Sequence, residues 1–286
     1  MLTYCNFGQG YLTEAAALGL DGIRLDVPPD GPLEAFVQPF AGQSLAADFL
    51  LHDPDRLAPL LEAITNVGLP EEQTAIEVYN EPPIKDPVNE EEYVDGVLDV
   101  WEDCQRRNYQ GRVIAGAQMN LSMPSMRWYA KTVPELPAEI TVAWHDYPYG
   151  LQSTDLAWPP STWARDPHQD AIDRLREITR DRPLVCSEFG RHRAIEIRGA
   201  HHGGVEERVQ ELWIYWLYME RLRLFAANDV VFTALYQWQD DPDQPNTSEG
   251  LYGLHAVNAD RSLGPAKKQA EAVADWHRNH LQWIES

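Results

Sequence analysis

The chain has 286 residues, 44 % of them apolar and 24 % charged, a composition that argues against disorder, a collagen-like repeat or a disulfide scaffold and suits one large domain. Its 45 acidic against 23 basic side chains leave a formal net charge of -22, which repels phosphate backbones and argues against nucleic acid as a partner. The longest apolar run, Leu212–Met219, closes at Glu220 and Arg221, too short for a membrane span, and the N-terminus lacks the basic-then-apolar pattern of a leader.

In chain order, Thr3–Phe7 reads as a strand and Leu12–Leu20 as an Ala-rich helix. Asp21–Val27 is a strand stopped by Pro28 and Pro29, and Leu33–Phe40 reads as helical. Ser44–Leu50 reads as a strand, and Asp55–Val67 as a helix with Leu57, Leu60, Leu61 and Ile64 at helical spacing. Then come strand Thr74–Tyr79, the acidic helix Glu90–Arg107, strand Arg112–Ala117, helix Pro124–Thr132 and strand Ile140–Trp144. Helix His168–Ile178 precedes a strand from Leu184 that ends near Glu188. Helix Val205–Phe225, strand Val230–Tyr236 and helix Pro265–Leu281 close the chain. Eight strand–helix units without an internal repeat predict an α/β fold, a single (β/α)8 TIM barrel. An open doubly wound sheet is the alternative, but Phe7-Gly8-Gln9-Gly10 lacks the dinucleotide spacing expected after its first strand.

Chemistry in a barrel gathers at the C-terminal strand ends. Ala75–Pro82 delivers Glu81 to that rim, and regular alternation puts Glu77, Tyr79 and Glu81 on one face. Pro183–Gly190 delivers Glu188, with Cys186 on the same face. Two carboxyls facing across one rim suit glycosidic cleavage, one donating a proton while the other attacks carbon. Trp144–Gly150 presents His145 and Tyr147 together. Tyr236–Asp241 carries Trp238, which can stack on a sugar or pack in the core. Asp240, Asp241 and Asp243 offer oxygen ligands but lack the spacing of a twelve-residue calcium loop, so a solvated acidic turn is the reading. Arg24, in an apolar strand, needs an acidic neighbour, and the attacking carboxylate and Asp26 are both open choices.

This constellation resembles glycoside hydrolase clan A, closest to the family-5-like, cellulase-like β-glycosidases, over essentially the whole chain. The most specific piece is Asn80-Glu81-Pro82. The resemblance implies that Glu81 is the acid/base, that Asn80 contacts a sugar hydroxyl and that Glu77 is structural. It implies that Glu188 is the nucleophile, held ionised by Arg24, and that Tyr147 hydrogen-bonds it. His145 and Trp238 would shape the subsite at the scissile bond, and Glu81 would keep its proton. The family's His after the third strand has only a loose match in His52, which receives no catalytic role. The usual N-terminal segment closing the barrel bottom has no counterpart, so residues 1–286 are expected to form a compact barrel domain.

The implied activity is retaining hydrolysis of β-O-glycosides, with a carbohydrate as the partner and neither metal nor organic cofactor. A non-catalytic carbohydrate-binding barrel and a transglycosylase using the same two glutamates are the alternatives. A metal-dependent hydrolase is a weaker one, because no HxH pair occurs at an early strand. Trp158 and Trp163 either extend the cleft or pack their loop, and the basic stretch with Arg191, His192, Arg193, Arg198, His201 and His202 either meets an acidic sugar or neutralises the acidic 71–103 segment. Cys5, Cys104 and Cys186 are odd in number and far apart, which suggests reduced thiols and, by default, a cytoplasmic location.

Overall fold

The computed structural model describes residues 1–6, 9–147, 167–190, 207–244 and 251–284. Eight parallel strands close on themselves: β1 (Leu2–Asn6), β2 (Gly22–Asp26), β3 (Ala46–Leu51), β4 (Thr74–Val78), β5 (Arg112–Gln118), β6 (Thr141–Asp146), β7 (Leu184–Phe189) and β8 (Val230–Leu235). The seam is the β1–β8 ladder, where Leu2 pairs with Phe232 and Cys5 with Leu235. The fold is therefore the expected (β/α)8 barrel.

A helix follows each strand: α1 (Leu12–Leu18), α2 (Glu34–Val37), α3 (Leu57–Val67), α4 (Glu90–Arg106), α5 (Met123–Thr132), α6 (Pro167–Thr179), α7 (Glu207–Ala227) and α8 (Lys268–Ile284). Local chemistry sets several of their ends. Asn89 and Glu92 form a reciprocal capping box at the start of α4. Gly68 ends α3 in the left-handed conformation, and Leu69 N–H returns to the Ile64 carbonyl. The helix expected from Pro265 begins only at Lys268. Leu263–Ala266 (β10) instead pairs antiparallel with His255–Val257 (β9) in a small hairpin. No described helix is long and apolar enough to cross a membrane.

Alternation sorts the strand residues into two layers. Outward side chains such as Ile23, Phe49, Ile76, Val142, Trp144 and Phe225's neighbour Phe189 form the strand–helix core. The lower lumen is filled by Tyr4 stacked on Phe232 at 4.3 Å, with Ala75, Ile114, Ala143, Val185 and Ala234. Toward the C-terminal strand ends the filling turns polar, with buried Asn6, Arg24, Asp48, Glu77, His145 and Ser187. A charged layer inside a barrel survives only if its members pair with one another.

Candidate active site

Arg24 organises that layer from the middle of β2, with 1 % exposure. Its Nε donates to Glu77 at 2.6 Å, its Nη1 to Glu188 at 2.9 Å and its Nη2 to Asn80 at 3.5 Å. The choice open in the sequence is thus decided for Glu188, with Glu77 as a further partner. Asp26 faces His52 instead. Glu77, fully buried, also accepts from Ser187 Oγ at 2.9 Å, so each of its oxygens has a donor.

The end of β4 departs from regular alternation. Tyr79 and Glu81 both adopt left-handed backbone, with φ of 67° and 48°. The turn lies directly on β5: Glu81 N–H donates to the Ala117 carbonyl, and a Cβ at Gly116 would sit 1.7 Å from the Tyr79 carbonyl oxygen. Glycine at 116 is required by that approach. The turn sends Tyr79 outward against Tyr93 of α4, so Tyr79 does not share a face with Glu77. Glu81 is carried to the rim, where its Oε1 meets His145 Nδ1 at 2.7 Å. Burial opposes ionisation of Glu81, but the hydrogen bond and charge of His145, helped by Lys85 and Arg24, hold its carboxyl below the usual range. That is the opposite of the proton retention expected from the sequence. The physical reason is the imidazole contact, which regular alternation does not reveal.

A bulge does the equivalent work on β7. Trp144 pairs with Cys186, whereas His145 pairs with Glu188, so β7 carries one extra residue there. Ser187 and Glu188 consequently both turn into the lumen, while Cys186 lies in the outer core and does not share the face of Glu188. The Tyr147 hydroxyl donates to Glu188 Oε2. Burial and the Glu188 charge push that phenol well above its ordinary value, which keeps it a donor. The Tyr147 ring is wedged edge-on between His145, Tyr236 and Tyr252.

One oxygen of Glu81, one of Glu188 and a ring nitrogen of His145 all lie within 4.8 Å of one another. The spacing could hold a cation. The donor set fits a hydrogen-bonded pair better, because Glu188 already accepts from Arg24 and Tyr147 and the guanidinium charge sits 2.9 Å away.

These residues open into a pocket of about 350 Å³ whose described lining includes Asn80, Glu81, Tyr147 and Glu188. Arg24 and His145 lie beneath it. Two more lining residues, His52 and Asp86, received no role from the sequence. His52 follows β3 directly, the position at which the sequence offered it only as a loose match to the family's histidine. Its Nδ1 lies 2.9 Å from Asp86 and its Nε2 3.9 Å from Asp26. Those two carboxylates push the imidazole up to about 10, against its partial burial. Asp86 also accepts the Asn80 N–H at 2.5 Å, so it braces the turn that carries Glu81.

Trp238 does not join the pocket lining. It is 1 % exposed and packs between Tyr11 and His255, and the aromatic that β8 presents to the pocket is Tyr236, two residues earlier. The acidic turn after it is paired: Asp240 accepts from Lys267 Nζ at 2.7 Å and from Gly253 N–H at 2.9 Å, and Asp243 pairs with Arg261. Trp158, Trp163 and the basic residues Arg191, His192, Arg193, Arg198, His201 and His202 lie outside the described residues.

No protein-family model matches the sequence, and no curated protein does. Solved structures do resemble it. A family 17 β-1,3-glucanosyltransferase from Rhizomucor miehei aligns at a TM-score of 0.61 and 13 % identity, covering 92 % of this chain and 96 % of that one. A family 5 glycoside hydrolase from Prevotella bryantii aligns at 0.58 and 12 %, covering 94 % and 86 %. A family 39 glycoside hydrolase from Bacteroides cellulosilyticus aligns at 0.59 and 15 %, covering 96 % and 62 %. Structural neighbours of this barrel are therefore clan A glycoside hydrolases, and at these identities the likeness is one of fold.

Proposed function

We propose that the chain is a glycosidase that cleaves β-O-glycosidic bonds with retention. The carrying observation is the pair of carboxylates, each held by its own partner, with oxygens within 4.8 Å across one pocket. That spacing favours direct attack, typical at about 5–5.5 Å, over the 6.5–9.5 Å that leaves room for an inverting water. Glu188, held by Arg24 and Tyr147, attacks the anomeric carbon. Glu81 protonates the departing oxygen, then takes a proton from the water that releases the sugar. His145 keeps Glu81 ionised in the empty pocket. A bound sugar displaces water there, raises the cost of that charge and favours proton uptake. Asn80 and Tyr236 supply contacts to the sugar, and residues 1–286 act as the catalytic domain.

Transfer to a sugar acceptor instead of water uses the same two glutamates, and the glucanosyltransferase among the fold neighbours favours keeping that reading. Product analysis at rising acceptor concentration separates the two. A binding-only barrel would not require two paired carboxylates, each with its own donor.

The testing experiment is a panel of aryl β-glycosides (glucoside, mannoside, galactoside, xyloside and glucuronide) with Glu188→Ala alongside. Wild type is expected to cleave at least one member, and the folded variant to lose about a thousandfold or more. Equal rates in both would remove Glu188 from the reaction. Activity abolished by a chelator and restored by a divalent ion would favour metal chemistry at the same trio.

A further inference from the structure

Three carboxyl side chains converge on the Arg24 guanidinium: Glu77 at 2.6 Å, Glu188 at 2.9 Å and Asp48 at 3.8 Å. The first two receive well-formed hydrogen bonds. Asp48 does not. It is fully buried in the middle of β3, level with Arg24 in the β2–β3 register, and neither of its oxygens accepts a hydrogen bond among the described residues. Arg24 directs its Nε, Nη1 and Nη2 toward Glu77, Glu188 and Asn80. A buried carboxylate without a donor on either oxygen is among the most costly arrangements a lumen can hold. A protonated carboxyl needs something different, an acceptor for one O–H. The Glu77 carboxylate, seated at 2.6 Å on the same Arg24 Nε that Asp48 approaches to 3.8 Å, is placed to supply it.

We propose that Asp48 carries a proton in the working protein and donates it as a hydrogen bond to Glu77, which leaves Arg24 committed to Glu188. Asp48 is then a positioning residue, and its role in turnover rests on the glycosidase reading above. The groups that face it are Tyr4 on β1, Arg24 on β2, Glu77 on β4, Arg112 at the start of β5 and Tyr109 just before that strand. Burial and then the Glu77 charge drive the Asp48 carboxyl well above its ordinary value, and they outweigh the opposing pull of Arg24 and Arg112. Burial, helped by the charge of Asp21, raises the Tyr4 phenol, so Tyr4 stays neutral beneath it. An ionised Asp48 would compete with Glu188 for the one guanidinium they share. The proton removes that competition.

The first test is difference infrared spectroscopy of wild type against Asp48→Asn near neutral pH. Wild type is expected to show the carbonyl stretch of a buried protonated carboxyl, and the variant to lack it. Unchanged spectra in that region would overturn the proposal. Wild-type protein carrying a 13C label at its aspartate carboxyls reads the same proton without any substitution. The band should shift with the label and persist at neutral pH, and its absence there would overturn the proposal even if the variant failed to fold. Kinetics supply the second arm. Asp48→Ala should lower kcat about tenfold with KM within about twofold, and Asp48→Asn should rescue most of that loss with the acid limb of the pH profile unmoved. An acid limb displaced to lower pH in Asp48→Asn would mean that wild-type Asp48 is ionised, and would sink the idea. The infrared arm needs no substrate, so failure of the glycosidase reading and failure of this one are separable.

Discussion

Replacing Arg24 with Met keeps much of the volume and removes the charge that holds the lumen together. The guanidinium is 1 % exposed and donates to Glu77, Glu188 and Asn80, so the variant strands two carboxylates inside the barrel. Breaking a buried pair from one side costs about 3–5 kcal/mol, a large part of the roughly 5–15 kcal/mol that keeps a protein folded. With an unfolding entropy of about 2.1 cal/mol/K per residue, 286 residues give about 0.6 kcal/mol/K, so Tm should fall by about 5–8 °C. The penalty should be largest near neutral pH and shrink in acid, where protonation removes the stranded charge. Circular-dichroism melts of wild type and variant at neutral and acid pH measure both effects. A variant melting within about 1 °C of wild type at neutral pH would mean that Arg24 is not what keeps the two carboxylates buried, and the account of the lumen would fail.

Three other outcomes follow from the same geometry. Glu81→Ala should lose far more activity on substrates with poor leaving groups than on activated aryl glycosides, and equal losses on both would argue against the acid role. His145→Leu removes the hydrogen bond and charge that hold the Glu81 carboxyl down, so the alkaline limb of kcat/KM should move to higher pH. A limb that stays in place would detach His145 from Glu81. His52, raised to about 10, stabilises the fold fully below its unfolded value of 6.5 and loses that contribution as pH rises through about 10. Because its side chain is 39 % exposed, screening limits the effect to about 1 kcal/mol. Denaturation of wild type and His52→Gln from pH 6 to 10.5 should show a stability gap that closes toward the alkaline end.

Much of the barrel was legible because its signals are local. Apolar runs stopped by Pro, Gly or charged residues marked all eight strands, including the ambiguous Ser44–Leu50 segment that became β3. The two rim glutamates followed from their place just past such runs. The face assignments around them were less secure, because period-two alternation assumes an unbroken strand. Left-handed Tyr79 and Glu81 break it on β4, and the extra residue at Ser187 and Glu188 breaks it on β7. A similar two-residue difference separates buried Trp238 from pocket-facing Tyr236. The β9–β10 hairpin displaced the expected start of the last helix, since an antiparallel pairing depends on a partner that helical periodicity does not report.

By itself, then, the sequence determined the alternation of strands and helices and which carboxyls stand at strand ends, since propensity, capping and apolar period act over a few neighbouring residues. Which charges pair was decided by closure of the barrel. Arg24, Asp48, Glu77 and Glu188 lie on four strands far apart along the chain, and only the closed sheet holds them within 4 Å of a shared guanidinium. The imidazole beside Glu81 and the two acids beside His52 are products of the same closure. Ionisation in a lumen depends on burial and on neighbours brought in from distant strands, and so belongs to the tertiary structure.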